Sequence, residues 1–273
     1  MVKIEQLNFA FKRGFALKNI SAQLQNGTYA LLGSNGAGKT TLMRCLIGSY
    51  EYSGCVTIDP PGQIGYLPQS IEFFDSLTVW ETMEYIYSIK KISPRVDKQE
   101  IQRCLQEANL TQMDDYLVKS LSGGMKRRLG VAQAILGDPG LLVFDEPTAG
   151  LDPEERMRFK NLVYRLNRNR DKVVLISTHI VDDVVGNCDQ VMIMRDGEFL
   201  AIDTEQNIEQ RARGLVYEGP NNYELYSGLY VEKSYTKNGK EYMRVLTAQP
   251  PEGFVQAEPT LEDGYLCLIN QIG

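Results

Sequence analysis

The residues with the clearest chemical purpose are Gly33, Ser34, Asn35, Gly36, Ala37, Gly38, Lys39, Thr40 and Thr41. Their spacing, G-x-x-x-x-G-K-[ST], forms a phosphate cradle when it stands between a strand and a helix. The glycines let successive N–H groups curl around an anion with no Cβ in the way. The helix that opens there adds unpaired N–H groups and the positive end of its dipole. In such a cradle Lys39 lies between the β- and γ-phosphates, and Thr40 offers its hydroxyl to Mg²⁺. A glycine-rich loop that merely turns the chain is the bland alternative, and it leaves the full pattern in this context unexplained.

Two further groups could act on the same phosphates. Leu141-Leu142-Val143-Phe144 runs into the acid pair Asp145-Glu146. At the carboxyl end of a central strand, Asp145 would hold the Mg²⁺ shell and Glu146 would polarise a water for attack on the γ-phosphorus. An acidic turn capped by Pro147 would suit either acid alone, but it explains the pair poorly. His179 is the single histidine of the chain and follows Val-Leu-Ile-Ser-Thr. A lone histidine is usually a surface or satisfied core residue. At the end of a buried strand, however, its neutral imidazole could donate to the γ-phosphate.

The elements that must position these residues are legible in the same stretches. Tyr29–Leu32 leads into the cradle, and Thr41–Ile47 has helical character. Residues 2–9 and about 15–24 predict strands, and Asn26-Gly27 predicts a tight turn returning as Thr28–Leu32. Gly54–Ile58 and Gln63–Leu67 are strand-like, separated by Asp59-Pro60-Pro61-Gly62. Residues 70–120 are mostly helical. Thr78-Val79-Trp80-Glu81 has the form of a capping box for a helix to about Lys91, and another helix runs from about Asp97 to Ala108. Ser122-Gly123-Gly124 caps a helix that Gly137-Asp138-Pro139 stops. Leu141–Phe144 and Val173–Ser177, apolar throughout, suit a parallel sheet covered on both faces, with a helix at 153–169 between them. Arg195-Asp196-Gly197 predicts a hairpin. Beyond residue 214 the chain is rich in tyrosine (Tyr217, Tyr223, Tyr226, Tyr230, Tyr235, Tyr242, Tyr265), with a hairpin around Asn238-Gly239 and a final helix from Thr260. The tyrosines are expected to serve packing.

Bulk properties narrow the classes. The 273 residues, 43% hydrophobic and 23% charged, suit one large or two smaller soluble domains. With 29 basic against 35 acidic side chains, the net charge of −6 argues against a nucleic-acid backbone as the main partner. The short basic run Lys126-Arg127-Arg128 is read as a solvated helix face. Five scattered cysteines, never spaced C-x-x-C, disfavour a disulfide framework or zinc site and fit a reducing compartment. No apolar run approaches the length needed to cross a bilayer, so a membrane role would have to come through a partner.

At Leu121-Ser122-Gly123-Gly124-Met125 the chain resembles the ATP-binding-cassette (ABC) ATPases, over roughly residues 1–210. The phosphate loop, a glutamine loop at Tyr66-Leu67-Pro68-Gln69, the signature Leu121–Gly124, the acidic strand, Ala149-Gly150-Leu151-Asp152 and His179 stand in the family's order. The resemblance implies an α/β P-loop NTPase fold: a mixed central sheet, an antiparallel β subdomain and a helical subdomain at about 70–138. This nucleotide-binding domain would span 1–214, with a small C-terminal α+β accessory domain at 215–273. It implies ATP and Mg²⁺ as ligands. Gln69 would touch Mg²⁺ or the attacking water, and Phe11 would stack on adenine, with Phe9 or plain core packing as competing readings. Ser122, Gly123 and Gly124 would meet the γ-phosphate held by a second ATPase subunit, and Asp152 would link the two sites. Arg127 stands where many relatives have glutamine, a variation from which no functional consequence is expected.

Within the family, the interval from Gln69 to Leu121 is too short for the coiled coil of chromosome-maintenance ATPases. The single cassette differs from translation-type relatives. The strings from Pro147 to Arg156, Ser177 to Asp183 and Glu258 to Asp263 are similar to those of drug, antibiotic-peptide or lipid exporters. The expectation is the ATP-hydrolysing subunit of a membrane transporter, peripheral on the cytoplasmic face through an integral membrane permease. A soluble iron–sulfur cluster assembly ATPase is the alternative. The permease would dock near Ser70–Ile86, where Phe73, Phe74 and Trp80 either face a partner helix or pack the subdomain's own core.

Overall fold

The computed structural model describes residues 1–12, 14–59, 61–221 and 229–272. In chain order the first elements are β1 (Val2–Phe11), β2 (Gly14–Leu24), β3 (Gly27–Leu32), α1 (Lys39–Leu46), β4 (Ser53–Ile58) and β5 (Ile64–Leu67). Then come α2 (Val79–Ile89), α3 (Lys98–Glu107), α4 (Gly123–Ile135), β6 (Leu141–Phe144), α5 (Pro153–Leu166) and β7 (Val173–Thr178). The chain continues through β8 (Gln190–Arg195), β9 (Glu198–Asp203), α6 (Glu205–Gln210) and β10 (Val216–Pro220). It closes with β11 (Tyr230–Lys237), β12 (Lys240–Leu246), β13 (Val255–Gln256) and α7 (Leu261–Asn270).

Three sheets form, ordered β2-β1-β4, β5-β6-β7-β3-β8-β9 and β11-β12-β10-β13. In the six-stranded sheet β5, β6, β7, β3 and β8 run parallel, and β9 returns antiparallel from the Arg195-Asp196-Gly197 turn. The predicted return of β3 on β2 does not occur. β2 pairs with β1, while β3 crosses into the centre of the large sheet between β7 and β8. Every residue of β3 is buried, which a central parallel strand satisfies and an edge hairpin would not.

Alternate residues of the large sheet feed opposite cores. Leu31, Val143, Leu175 and Met192 pack with α1 and the three-stranded sheet. Leu142, Phe144 and Val174 pack under the helical segment, where Met83, Ile101, Leu105 and Leu129 meet them. Helix starts follow their caps. Thr78 and Glu81 form the reciprocal capping box of α2, Asp97 caps α3, and Ser122 caps α4. Phe73 and Trp80 pack against this helical core, while Phe74 stays 57% exposed and meets Tyr85 edge-on at 5.5 Å.

The terminal helix returns to the large sheet. Leu261 shares a core with Ala30, Leu32 and Ile193, and Arg195 donates to the carbonyl of Ile269. α7 lies so close to α6 that a Cβ on Gly264 would stand 2.0 Å from the Ile208 carbonyl oxygen, so only glycine fits. Among the tyrosines, Tyr217, Tyr230, Tyr235, Tyr242 and Tyr265 are half-buried, and Tyr235 stacks on Tyr242 at 5.9 Å. Tyr223 and Tyr226 lie outside the described residues. All five cysteines are free thiols.

Candidate nucleotide site

The site follows from the register of the parallel strands. Leu32 pairs with Thr178, Phe144 with Ile176, and Leu67 with Phe144. The carboxyl ends of β3, β5, β6 and β7 therefore reach one sheet edge, where an open α/β sheet binds ligands. That edge carries Gly33, Gln69, Asp145-Glu146 and His179.

A cavity of about 560 Å³ opens there, lined by Phe11, Asn35, Gly36, Gly38, Lys39, Thr40, Thr41, Gln69 and Glu146 among others. Gly33 has no room for a side chain, since a Cβ would stand 2.4 Å from the Met194 carbonyl oxygen. Gly38 takes φ 109° and leads into α1 with no side-chain cap on its first N–H groups. Those donors point where an anion would sit. Lys39 is 5% exposed, and its Nζ donates to the carbonyls of Gly33 (2.7 Å) and Ser34 (3.1 Å). Burial lowers its pKa below the usual lysine value, opposed by the charges of Glu146 and Asp145.

The two acids sit in different surroundings. Asp145 is fully buried and its Oδ1 accepts from Ser177 Oγ (2.7 Å) and Thr40 Oγ1 (3.1 Å). Its Oδ2 is buried without a hydrogen-bond partner. An orphaned carboxylate oxygen beside a phosphate-loop hydroxyl fits a divalent cation that takes one or two carboxylates and completes its shell with phosphate and water. Glu146 reaches the edge of the cavity. Its carboxylate lies 3.5 Å from Lys39 Nζ, 3.5 Å from Gln69 Nε2 and 3.3 Å from His179 Nδ1. Its backbone takes φ 44°, left-handed and costing roughly 1–2 kcal/mol for a residue with a Cβ. Ser177 Oγ accepts from the Glu146 N–H at 2.8 Å.

Phe11 is 48% exposed at the cavity, whereas Phe9 stacks on Tyr50 at 4.8 Å and packs toward the core. Of the sequence candidates, then, Phe11, the phosphate loop, Gln69, Asp145, Glu146 and His179 come together. Ser122, Gly123, Gly124 and Asp152 do not line this cavity. Ser122 and Asp152 are exposed N-caps of α4 and α5, and Gly124 faces the Glu155 carboxylate, 2.8 Å from where a Cβ would be.

Two residues at the site escape sequence reasoning. Ser177 is hidden inside an apolar strand, and only the β6–β7 register brings it level with Asp145. Arg127 does not lie on a solvated face as the basic run suggests. Its guanidinium turns inward, donating to the backbone carbonyls of Pro68 (3.2 Å), Gln69 (2.6 Å), Asp145 (3.3 Å), Glu146 and Pro147 (2.8 Å). The signal available was its phase on α4, three and four residues before the buried Gly130 and Val131.

Comparison with known proteins supplies the context. The ABC transporter family model matches residues 17–149. YxlF, an ABC transporter ATP-binding protein of Bacillus subtilis (strain 168), is 34% identical over 224 residues, covering 80% of this chain and 75% of that protein. The linearmycin resistance ATP-binding protein LnrL of the same organism is 30% identical over 226 residues, covering 78% and 72%. The dimeric, post-hydrolysis structure of the ATP-binding cassette MJ0796 with ADP and Pi shares the fold. Its TM-score is 0.67 at 23% identity, over 75% of this chain and 98% of that one.

Proposed function

Because this chain belongs to the ABC transporter family as an ATP-binding ATPase, we propose that it powers an exporter through a separate integral membrane permease. The observation that carries the hydrolytic part is Glu146, set at the cavity edge among Lys39, Gln69 and His179. In this reading the α1 N–H groups and Lys39 hold the β- and γ-phosphates, and Phe11 stacks on adenine. Glu146 takes the proton of the attacking water while His179 and Gln69 orient that carboxylate. Thr40, the free Oδ2 of Asp145 and the Gln69 amide would hold Mg²⁺. When bound, it neutralises phosphate charge.

Ser122, Gly123, Gly124 and Asp152 are assigned to a second subunit's nucleotide, so that two ATP molecules lie between two subunits. Ser122, Gly123 and Asp152 are exposed and none of the four lines this chain's own cavity, which supports that assignment. The permease would rest on a groove of about 390 Å³ lined by Tyr66, Ile71, Phe74, Tyr85 and Ile86. Among the described residues no helix is long and apolar enough to cross a membrane, so attachment at the cytoplasmic face would run through that groove. We take residues 1–214 as the ATPase unit and 215–273 as an accessory unit docked on it through α7. The exporter assignment draws on LnrL, named for linearmycin resistance; an iron–sulfur assembly ATPase is the weaker reading.

Glu146→Gln is expected to bind ATP, to hydrolyse it hardly at all and to give a long-lived dimer by size exclusion. Parental turnover in that variant removes Glu146 from the role of base. Extraction in mild detergent should bring an integral membrane protein with the chain. Recovery with iron–sulfur scaffold proteins instead would overturn the transporter reading.

A further inference from the structure

The five donors of Arg127 all go to backbone carbonyls, and those carbonyls belong to two segments only. Nη1 serves Pro68 and Gln69, Nη2 serves Asp145 and Glu146, and Nε serves Pro147. One planar fork on α4 thus joins the loop that carries Gln69 to the turn that carries Glu146. The Glu146 peptide is the strained one, left-handed in a residue with a Cβ. Such a conformation persists where its surroundings fix it from both sides. Here Ser177 holds the N–H, and Arg127 holds the carbonyl together with the Ala149 N–H of the same turn, at 3.2 Å. No other charged side chain donates to any of these carbonyls among the described residues.

We infer that Arg127 is a positioning residue for hydrolysis, locking the Glu146 turn and the Gln69 loop in one register and tying both to the helix that Ser122 caps. It touches neither phosphate nor water; it acts through the two residues proposed to do so. The inference rests on the assignment of Glu146 and Gln69 made above. A glutamine at this position offers two donors, and a lysine offers three from a point charge that cannot span coplanar acceptors on two segments. Neither replaces the fork.

The test compares Arg127→Lys and Arg127→Gln with the parent full chain, reading kcat and KM for ATP, melting temperature, and dimer formation on a Glu146→Gln background. A misplaced base typically costs on the order of 100-fold in rate. Arg127→Lys and Arg127→Gln should therefore each lose at least tenfold in kcat with KM within about twofold. Both should still form the ATP-bound dimer when combined with Glu146→Gln, because nucleotide binding does not use the fork. Parental kcat in both variants overturns the inference. So does a loss in which KM and melting temperature move together with kcat, the mark of a structural role. Should Arg127→Lys fail to fold, Arg127→Gln alone decides by the same kcat-against-KM criterion. If Glu146→Gln itself turns over normally, the assignment of the base fails. If it is inactive while both Arg127 variants are parental, the positioning role alone fails.

Discussion

Removing the Ser177 hydroxyl separates the electrostatic support of the acid pair from its sequence. Ser177 is fully buried and its Oγ makes two bonds at once, donating to Asp145 Oδ1 at 2.7 Å and accepting from the Glu146 N–H at 2.8 Å. Ser177→Ala deletes a hydrogen bond to a carboxylate, a contribution of about 1.5–3 kcal/mol. It also strands a buried N–H, at about 1–3 kcal/mol. Asp145 Oδ1 keeps its bond from Thr40 Oγ1, which places the sum toward the lower end, about 3 kcal/mol. Against a total stability of about 5–15 kcal/mol this is a large fraction. The assay is urea unfolding at constant m-value, with Ser177→Cys as a control of similar volume and weaker donor strength. Turnover should fall as well, because the strained Glu146 residue loses the partner of its N–H. An unfolding free energy within about 0.5 kcal/mol of the parent, together with parental turnover, would refute the reasoning.

Two further outcomes concern the C-terminal elements. Glu232 meets Arg244 at 2.8 Å and lies near Lys233, yet it shares that guanidinium with Glu218 and Asp263. Burial, and then the charge of Asp263, raise its pKa from 4.5 to about 7. A folded-state pKa above the unfolded one gives a contribution that is complete below about pH 4.5 and lost as pH rises through about 7. Glu232→Gln should thus gain on the order of 1–3 kcal/mol over the parent at pH 8 and little at pH 4.5; an equal difference at both pH values in urea midpoints refutes it. Gly264→Ala would force a Cβ into the Ile208 carbonyl and is expected to cost about 1–3 kcal/mol, loosening α7 from α6. Limited proteolysis should then cut the C-terminal segment faster than in the parent, and identical digestion would count against that close contact.

Much of the site was legible because its chemistry is carried by short local patterns. The phosphate loop, the acid pair and the histidine each follow the apolar run of a buried parallel strand, where the chain leaves the sheet at its ligand-binding edge. Caps at Thr78 and Ser122 were equally local, since a side chain two or three residues away satisfies the first N–H groups of a helix. The Asn26-Gly27 turn misled, because turn chemistry fixes the reversal of the chain and says nothing of which sheet the next strand joins. Arg127 misled for a related reason: three consecutive basic residues on a helix point in three directions, and both Arg127 and Arg128 turn away from solvent.

The sequence by itself determined the types of group in the site and the strand ends that would carry them. The tertiary structure decided which ends become neighbours. Placing β3 between β7 and β8 sets Gly33 beside His179, and the β6–β7 register sets Ser177 against Asp145. Those pairings come from long-range burial of the central strands, which no local spacing encodes. The same holds for Arg127, whose partners lie 18 to 59 positions away and whose purpose is visible only where two loops meet.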